Sequence, residues 1–312
     1  MRIAAVQAAP VWMDREATLD KVCRTVERAA SGGASVVAFS ESFVPGYPWW
    51  TSSDRLDLPQ LDVVTARQAV YLRNGVDIER GDLDRVVKAA RECSCFVALG
   101  VAELAATGTS LYCSMVMIDP ERGIVGVHRK LKPTYTERVT WADGDAHGLR
   151  VHEYAGWRIG GLNCWENWLP LPKFTLYSQG EQLHIATWPG GRGLTRDATR
   201  MLAIEGGVFV VSVCGLFRAD LVPDDFPDAR ALRESIGAIG MGDGGTMIAD
   251  PSGVVIAEAA PHSEEILYAD LELDLVLAAR TLRDPGGHYH RPDIFELGID
   301  SRRREAVMRR PA

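Results

Sequence analysis

Short apolar strands alternate with amphipathic helices from the beginning of this chain, and this alternation constrains the fold more than any other feature. Residues 34–39 form an almost wholly apolar run, as expected of a strand that is covered on both faces. Apolar residues recur at helical spacing over 14–30, just before that run, and over 82–91, just before a second apolar run at 96–101. The order strand, helix, strand predicts an α/β fold with layered sheets.

Turn-forming residues predict hairpins at 119–123 and at 250–253, because each group lies between two strand-like runs. We therefore expect sheets of mixed direction. Residues 1–290 are expected to form a single domain, since α/β folds often reach this length as one unit. Residues 291–312 contain an arginine-rich stretch and are expected to form a C-terminal tail, which is either solvated or part of a subunit interface.

Composition and charge argue against several classes of function. The chain has 312 residues and a net charge of −8, which disfavours a general attraction to nucleic acid or to an anionic membrane surface. No stretch approaches the roughly 18 apolar residues that span a bilayer. The first ten residues are interrupted too soon to serve as a signal peptide. We expect a cytoplasmic protein that has six reduced cysteines and acts on small molecules.

Three residues at the ends of strand-like runs are candidates for chemistry: Glu41, Lys130 and Cys164. A thiol is mostly protonated at neutral pH, so a nucleophilic cysteine needs a group that takes its proton. The Glu41 carboxylate could take that proton, and the Lys130 ammonium could stabilise negative charge that develops on a substrate. From the residues alone, a core cysteine, a solvated loop carboxylate and a surface lysine remain open interpretations.

The segments 39–48, 128–134 and 161–168 together resemble the nitrilase superfamily of carbon–nitrogen hydrolases, whose members carry Glu, Lys and Cys in this chain order. The segment 284–293 resembles a terminal motif of nitrilases proper. Family members commonly have proline before the glutamate, whereas this chain has Ser40. The resemblance covers most of the chain.

The resemblance implies a fold and a reaction. The fold is a four-layer αββα sandwich, and subunits associate into a homo-oligomer, which is a dimer or a larger spiral assembly. In the implied reaction Cys164 attacks an organic nitrile, Glu41 moves protons and Lys130 stabilises charge, and the products are a carboxylic acid and ammonia. Covalent thioimidate and thioester intermediates form on the cysteine. No metal and no organic cofactor is required.

Glu137 is a further candidate for the catalytic set. It lies seven residues after Lys130 and matches a second glutamate that many family members place near the cysteine. Its expected role is to orient Lys130 or the substrate. An ordinary ion pair with Arg138 is the alternative.

Aromatic residues near the motifs are candidates for substrate binding. Trp165 follows the cysteine and is expected to form a wall of the site, and Tyr47 and Trp188 are expected to contact substrate. A wider set of tryptophans lies near the motif segments and either furnishes an apolar pocket or belongs to the core: Trp49, Trp50, Trp141, Trp168 and Trp188.

Other interpretations of the sequence remain open. His288 and His290 could share a strand face and bind a metal, but two histidines without a third ligand are a weak signal, and structural hydrogen bonding is favoured. An amidase or carbamoyl-amide hydrolase of the same superfamily would use the same three residues. A nitrile-hydrating enzyme would release an amide instead of an acid. A non-catalytic binding protein on this fold is disfavoured, because Glu41, Lys130 and Cys164 are all present.

Overall fold

A computed structural model describes residues 1–52, 61–239 and 242–304. In this part of the chain the strands, in chain order, are β1 (Arg2–Gln7), β2 (Val36–Ala38), β3 (Phe96–Leu104), β4 (Leu111–Asp119), β5 (Gly123–Arg129), β6 (His152–Tyr154), β7 (Trp157–Asn163), β8 (Leu183–Trp188), β9 (Phe209–Cys214), β10 (Met247–Ala249), β11 (Val255–Glu258) and β12 (Glu265–Asp270). The α-helices are α1 (Arg15–Ser31), α2 (Leu61–Arg73), α3 (Asp84–Glu92), α4 (Pro170–Tyr177), α5 (Arg192–Gly206), α6 (Ala229–Ile239) and α7 (Leu273–Leu282).

The strands form two six-stranded sheets within the described residues. The first sheet has the order β12-β1-β2-β3-β4-β5, and the second has the order β11-β10-β9-β8-β7-β6. In the first sheet β1, β2 and β3 run parallel, while β4 pairs antiparallel with both of its neighbours. In the second sheet β7, β8 and β9 run parallel. The prediction of sheets with mixed direction is confirmed.

The two sheets pack face to face, and the alternation of side chains along β1 shows how. Ile3 and Ala5 lie in the apolar core between the sheets, together with residues of β7, β8 and β9. Ala4 and Val6 point to the opposite face, where they pack in a second core with residues of α1 and α3. Residues of α5 pack on the outer face of the second sheet. The layers are therefore helix, sheet, sheet and helix, which confirms the predicted four-layer α/β sandwich.

Helix α1 shows how the sequence sets these elements locally. The Asp14 side chain caps its first turn by accepting a hydrogen bond from the backbone N–H of Ala17, at 2.9 Å. Leu19, Val22 and Val26 are fully buried on one face of the helix. The helix predicted from apolar spacing over 14–30 is thus present.

None of the helices in the described residues is long and apolar enough to cross a membrane. Residues 291–304 contain no helix or strand and are mostly exposed. Near their end, the backbone N–H of Arg304 donates to Asp145 Oδ2 at 2.9 Å, and the Arg303 side chain donates to the same carboxylate. The remainder of the predicted tail, 305–312, lies outside the described residues, and the division into a domain and a tail stays a prediction.

Candidate active site

The three candidate residues meet where strands of both sheets end. Glu41 follows β2 and Lys130 follows β5, both in the first sheet, whereas Cys164 follows β7 in the second sheet. The backbone at Glu41 passes very close to Gly100 of β3: a Cβ atom at position 100 would overlap the carbonyl oxygen of Ser40. Only glycine permits this approach, so the Glu41 backbone rests directly on the neighbouring strand.

Cys164 occupies a strained position between a strand and a short helical turn. Its φ angle is +44°, in the left-handed region that a residue other than glycine seldom adopts. The 3₁₀ turn Cys164–Trp168 begins at this residue, and Asn163 caps it reciprocally with Glu166. Sharp turns of this kind lift a side chain out of the sheet, and the Cys164 thiol lies on the wall of a cavity.

Lys130 is buried rather than on the surface, with 1% of the residue exposed. Its Nζ donates to Glu41 Oε1 at 2.8 Å and to Glu137 Oε2 at 2.7 Å. One ammonium thus lies between two carboxylates. Burial of three charged groups is tolerated only when they are paired in this way.

Glu137 contacts Lys130 and not Arg138. Its second oxygen, Oε1, accepts a hydrogen bond from the hydroxyl of Tyr47 at 2.8 Å. The Arg138 guanidinium donates instead to the backbone carbonyl of Pro133. The contacts of Glu137 therefore agree with the interpretation in which it orients Lys130.

The electrostatics of the set favour proton transfer near neutral pH. Burial raises the pKa of Glu41 to about 7, although the charge of Lys130 opposes that shift. Burial lowers the pKa of Lys130, but the acidic groups around it, Glu41 above all, more than offset this and hold that pKa well above its usual value. Lys130 therefore stays an ammonium, while Glu41 has a proton affinity suited to general acid and base work.

The Cys164 thiol has no charge of its own at rest. Burial raises its pKa well above the usual value, and Lys130 opposes this only in part. One oxygen each of Glu41 and Glu137 and the Cys164 Sγ all lie within 4.8 Å of one another. A base close to the thiol is therefore both needed and present.

The cavity beside Cys164 has a volume of about 350 Å³ and a mostly apolar wall. Each of the three predicted substrate-binding residues, Tyr47, Trp165 and Trp188, lines it. Trp168 lines it as well. The lining contains no basic side chain among the described residues, and the Glu137 carboxylate in it is already paired with Lys130, so the cavity suits an uncharged, apolar molecule.

The other tryptophans named from the sequence do not line this cavity. Trp49, Trp50 and Trp141 are buried in a separate aromatic core with Tyr71 and Phe226. For these three, the core interpretation is correct.

Sequence reasoning missed how the nucleophile turn is held. Glu166 accepts hydrogen bonds from the backbone N–H groups of Leu131, at 2.8 Å, and Asn163, at 2.9 Å, and its carboxylate also contacts His128 Nε2. These two amides stand next to Lys130 and Cys164 in the chain, so one carboxylate ties the two segments together. The spacing of Asn163 and Glu166 is a capping-box signal that could have indicated half of this arrangement.

A second buried chain of hydrogen bonds supports the same turn. Asn167 Nδ2 donates to the carbonyl of Cys164 at 2.9 Å, and Asn167 Oδ1 lies 2.8 Å from His184 Nε2. The other ring nitrogen of His184 lies 2.9 Å from a Glu181 oxygen. The strained backbone of Cys164 is therefore held by Asn167 of the same turn, and His184 of β8 and Glu181 fix the Asn167 side chain in turn.

The same residues could be considered as metal ligands. Within the described residues, Glu41, Glu137 and Cys164 are the one set of three such groups close enough to share an ion. The Lys130 ammonium, however, already bonds both carboxylates and supplies the positive charge at this place. His288 and His290 lie in and beside a turn over 285–289, not on a strand as the metal interpretation assumed, and His290 packs against the Phe174 ring.

Comparison with known proteins shows the family of this chain. Residues 2–281 match the carbon-nitrogen hydrolase family. An aliphatic nitrilase from Rhodococcus rhodochrous is 37% identical over 98% of this chain and 81% of its own length. The chain belongs to the carbon–nitrogen hydrolase family. This carbon–nitrogen hydrolase is thus an enzyme that acts on carbon–nitrogen bonds other than peptide bonds.

Two further comparisons bear on the fold and on the branch of the family. A nitrilase from Pseudomonas syringae pv. syringae (strain B728a) is 35% identical over 95% of this carbon–nitrogen hydrolase and 89% of its own length. The solved structure of an amidase from Nesterenkonia AN1, described as a member of the nitrilase superfamily, superposes with a TM-score of 0.63 at 17% identity, covering 90% of this chain and 95% of the amidase. At that identity the likeness shows the shared fold alone.

Proposed function

We propose that this carbon–nitrogen hydrolase is a nitrilase, which converts an organic nitrile to the carboxylic acid and ammonia. The relatives of similar length are nitrilases, which supports this branch of the family. The observation that carries the proposal is the buried set of Glu41, Lys130 and Glu137 beside Cys164, of which Glu137 and Cys164 line an apolar cavity.

In the first proposed step Glu41 takes the thiol proton of Cys164 as the sulfur attacks the nitrile carbon. A carbon–sulfur bond forms, one π bond of the nitrile breaks, and the nitrogen takes the proton back from Glu41 to give a thioimidate. Lys130, held by two carboxylates, faces the developing negative charge with its ammonium and stabilises it. Glu137 and Tyr47 keep Lys130 in place.

In the following steps water replaces nitrogen. Glu41 takes a proton from water as the oxygen adds to the thioimidate carbon, and the nitrogen is protonated and leaves as ammonia. A thioester remains on Cys164, and a second water hydrolyses it to the acid and the free thiol. If the tetrahedral intermediate expels the thiolate instead of ammonia, the product is the amide.

The compartment and the assembly of the enzyme are the last part of the proposal. We infer a cytoplasmic homo-oligomer, a dimer or a larger spiral assembly, that acts on a small apolar nitrile. All six cysteines are free in the structure, which is compatible with a reducing compartment. Sedimentation at micromolar concentration tests the assembly, and a monomer would contradict it.

The first experiment is ammonia release from a panel of aliphatic, arylaliphatic and aromatic nitriles and the matching amides. The native protein is compared with Cys164→Ala, and acid and amide products are separated by mass. We expect acid and ammonia from nitriles with the native protein and a loss of at least about 10³-fold with the variant.

A control variant and the comparison of nitriles with amides make this experiment decisive. Cys214→Ala removes another buried thiol, on β9, and is expected to retain turnover. Turnover of amides alone would assign the protein to the amidase branch. Absence of both activities in a folded native protein would contradict the proposal and favour a binding function.

A further inference from the structure

A second cysteine contacts the Glu41 carboxylate. Cys113 lies on β4, is fully buried, and places its Sγ 3.4 Å from Glu41 Oε1. The backbone carbonyl of Cys113 also accepts the N–H of Lys130 at 2.7 Å. One residue of β4 thus touches both charged members of the set, by its side chain in one case and by its backbone in the other.

The chemical state of Cys113 makes it a donor. Burial raises the pKa of this thiol well above its usual value, and the negative charge of Glu41 raises it further. At neutral pH the residue is therefore a neutral S–H group, and its 3.4 Å contact is that of a thiol that donates its hydrogen to the Glu41 oxygen.

The two oxygens of Glu41 have different surroundings. Oε1 accepts from Lys130 and from Cys113. Within the part of the chain that the structure describes, Oε2 is buried and has no hydrogen-bond partner. The titratable groups coupled electrostatically to this carboxylate are Lys130, Glu137, Cys113, Cys164, Tyr47 and Tyr71.

We propose that Cys113 is a positioning residue for the reaction: its thiol fixes Oε1 of Glu41 beside Lys130 and leaves Oε2 as the oxygen that exchanges protons with Cys164 and water. This inference rests on the proposed role of Glu41 as the base. Cys113 does not touch substrate, because its side chain is fully buried in the aromatic core among Leu111, Tyr71 and Trp141. It acts through Glu41 alone.

We expect Cys113→Ala and Cys113→Ser to differ in how their activity depends on pH. Cys113→Ala removes the donor, so the carboxylate form of Glu41 is less stabilised and its pKa rises. Cys113→Ser keeps a donor. We expect the acidic limb of the kcat/KM profile against pH to move up by about half a pH unit in Cys113→Ala and to stay at or below the native position in Cys113→Ser.

A matched control separates positioning from packing. Cys95 is also fully buried, but its Sγ bonds the backbone carbonyl of Ala34 and it belongs to a different core. Cys95→Ala removes the same atoms and is expected to leave the acidic limb where it is. Equal profiles for the native protein, Cys113→Ala and Cys113→Ser would overturn the proposal.

A second measurement does not depend on nitrile turnover. The rate at which iodoacetamide alkylates Cys164, followed by peptide mass spectrometry across pH, reports on the base that takes the thiol proton. We expect its inflection to shift in Cys113→Ala as the kinetic limb does, and to disappear in Glu41→Gln. A shifted alkylation profile without nitrile hydrolysis would refute the nitrilase function and leave the positioning role standing, whereas an unshifted profile would refute that role.

Discussion

Of the buried glutamates near Cys164, Glu41 and Glu166 differ in how their oxygens are satisfied. Glu41 is 2% exposed and Glu166 is 1% exposed. Both oxygens of Glu166 are bonded, by two backbone amides and by His128. Glu41 has one bonded oxygen, and its other oxygen has no partner among the described residues. The same residue type is thus used once as a fixed connector and once as a group that can still react.

The pKa values of the two glutamates move in opposite directions for this reason. Burial raises the pKa of both, but for Glu166 the contact with His128 and the two amides outweighs burial, and its pKa falls below the usual value. For Glu41 burial prevails and the pKa rises to about 7. Hydrogen bonds from the backbone make a carboxylate a permanent anion, whereas an incomplete set of donors keeps its proton exchangeable.

Glu41→Gln tests whether Glu41 is the group that exchanges protons. An amide cannot take a proton from Cys164, so we expect kcat/KM to fall on the order of 10²–10⁴-fold. Because Lys130 keeps its ion pair with Glu137 in this variant, the thermal midpoint should stay within a few degrees of the native value. Steady-state ammonia release and thermal unfolding measure the two quantities. Retained activity would show that another group is the base.

Glu166→Gln should give the converse result. The amide can accept only through one oxygen, so a backbone N–H or His128 loses its partner, and we expect a loss of about 2–4 kcal/mol in the free energy of unfolding. Denaturant unfolding measures this loss. Under conditions where the variant is folded, it should keep far more turnover than Glu41→Gln.

The control for Glu166→Gln is Glu153→Gln, a change of the same type at an exposed residue of β6. It is expected to alter the unfolding free energy by less than about 0.5 kcal/mol. If Glu166→Gln were as stable as this control, the connector role would be wrong.

The smallest expected effect is on the pH dependence of stability. The folded pKa of Glu41 lies above its unfolded value, so its contribution is present at low pH and is lost as pH rises through about 7. The folded pKa of Glu166 is lowered, so its contribution is present above the unfolded value and is lost as pH falls through the folded one. Relative to native protein, Glu41→Gln should therefore gain roughly 2 kcal/mol between pH 5 and pH 8.

Unfolding free energies of the native protein and both variants, measured across that pH range, test this difference. Glu166→Gln should show no gain over native protein between the same limits. Parallel curves for Glu41→Gln and native protein would show that Glu41 has the same proton affinity in both states.

The sequence predicts those parts of the fold that have a regular apolar pattern. Helix α1 was expected because its buried residues repeat at helical spacing. Helix α2 was not expected, and the reason is physical: of its residues only Arg67 and Tyr71 are buried, so it has no apolar stripe. Helices α6 and α7 and the short strand β6 were likewise not named from the sequence.

The site likewise contains residues that sequence motifs indicate and contacts that they do not. Glu41, Lys130, Glu137 and Cys164 were named from motifs, and the structure brings them together. The contact of Cys113 with Glu41 joins residues 72 positions apart and has no local signal, since a cysteine within an apolar strand has the pattern of any core residue. Contacts of this kind depend on strand register, which residue patterns do not fix.

The origin of the site in both sheets has a consequence for the folding of this enzyme. Glu41 and Lys130 come from the first sheet and Cys164 from the second, so neither sheet alone contains the complete set that we propose for catalysis. A newly made or partly refolded chain therefore holds only an ordinary protonated thiol. Turnover therefore cannot be recovered during refolding before the two sheets dock. The return of activity reports when that late step has occurred.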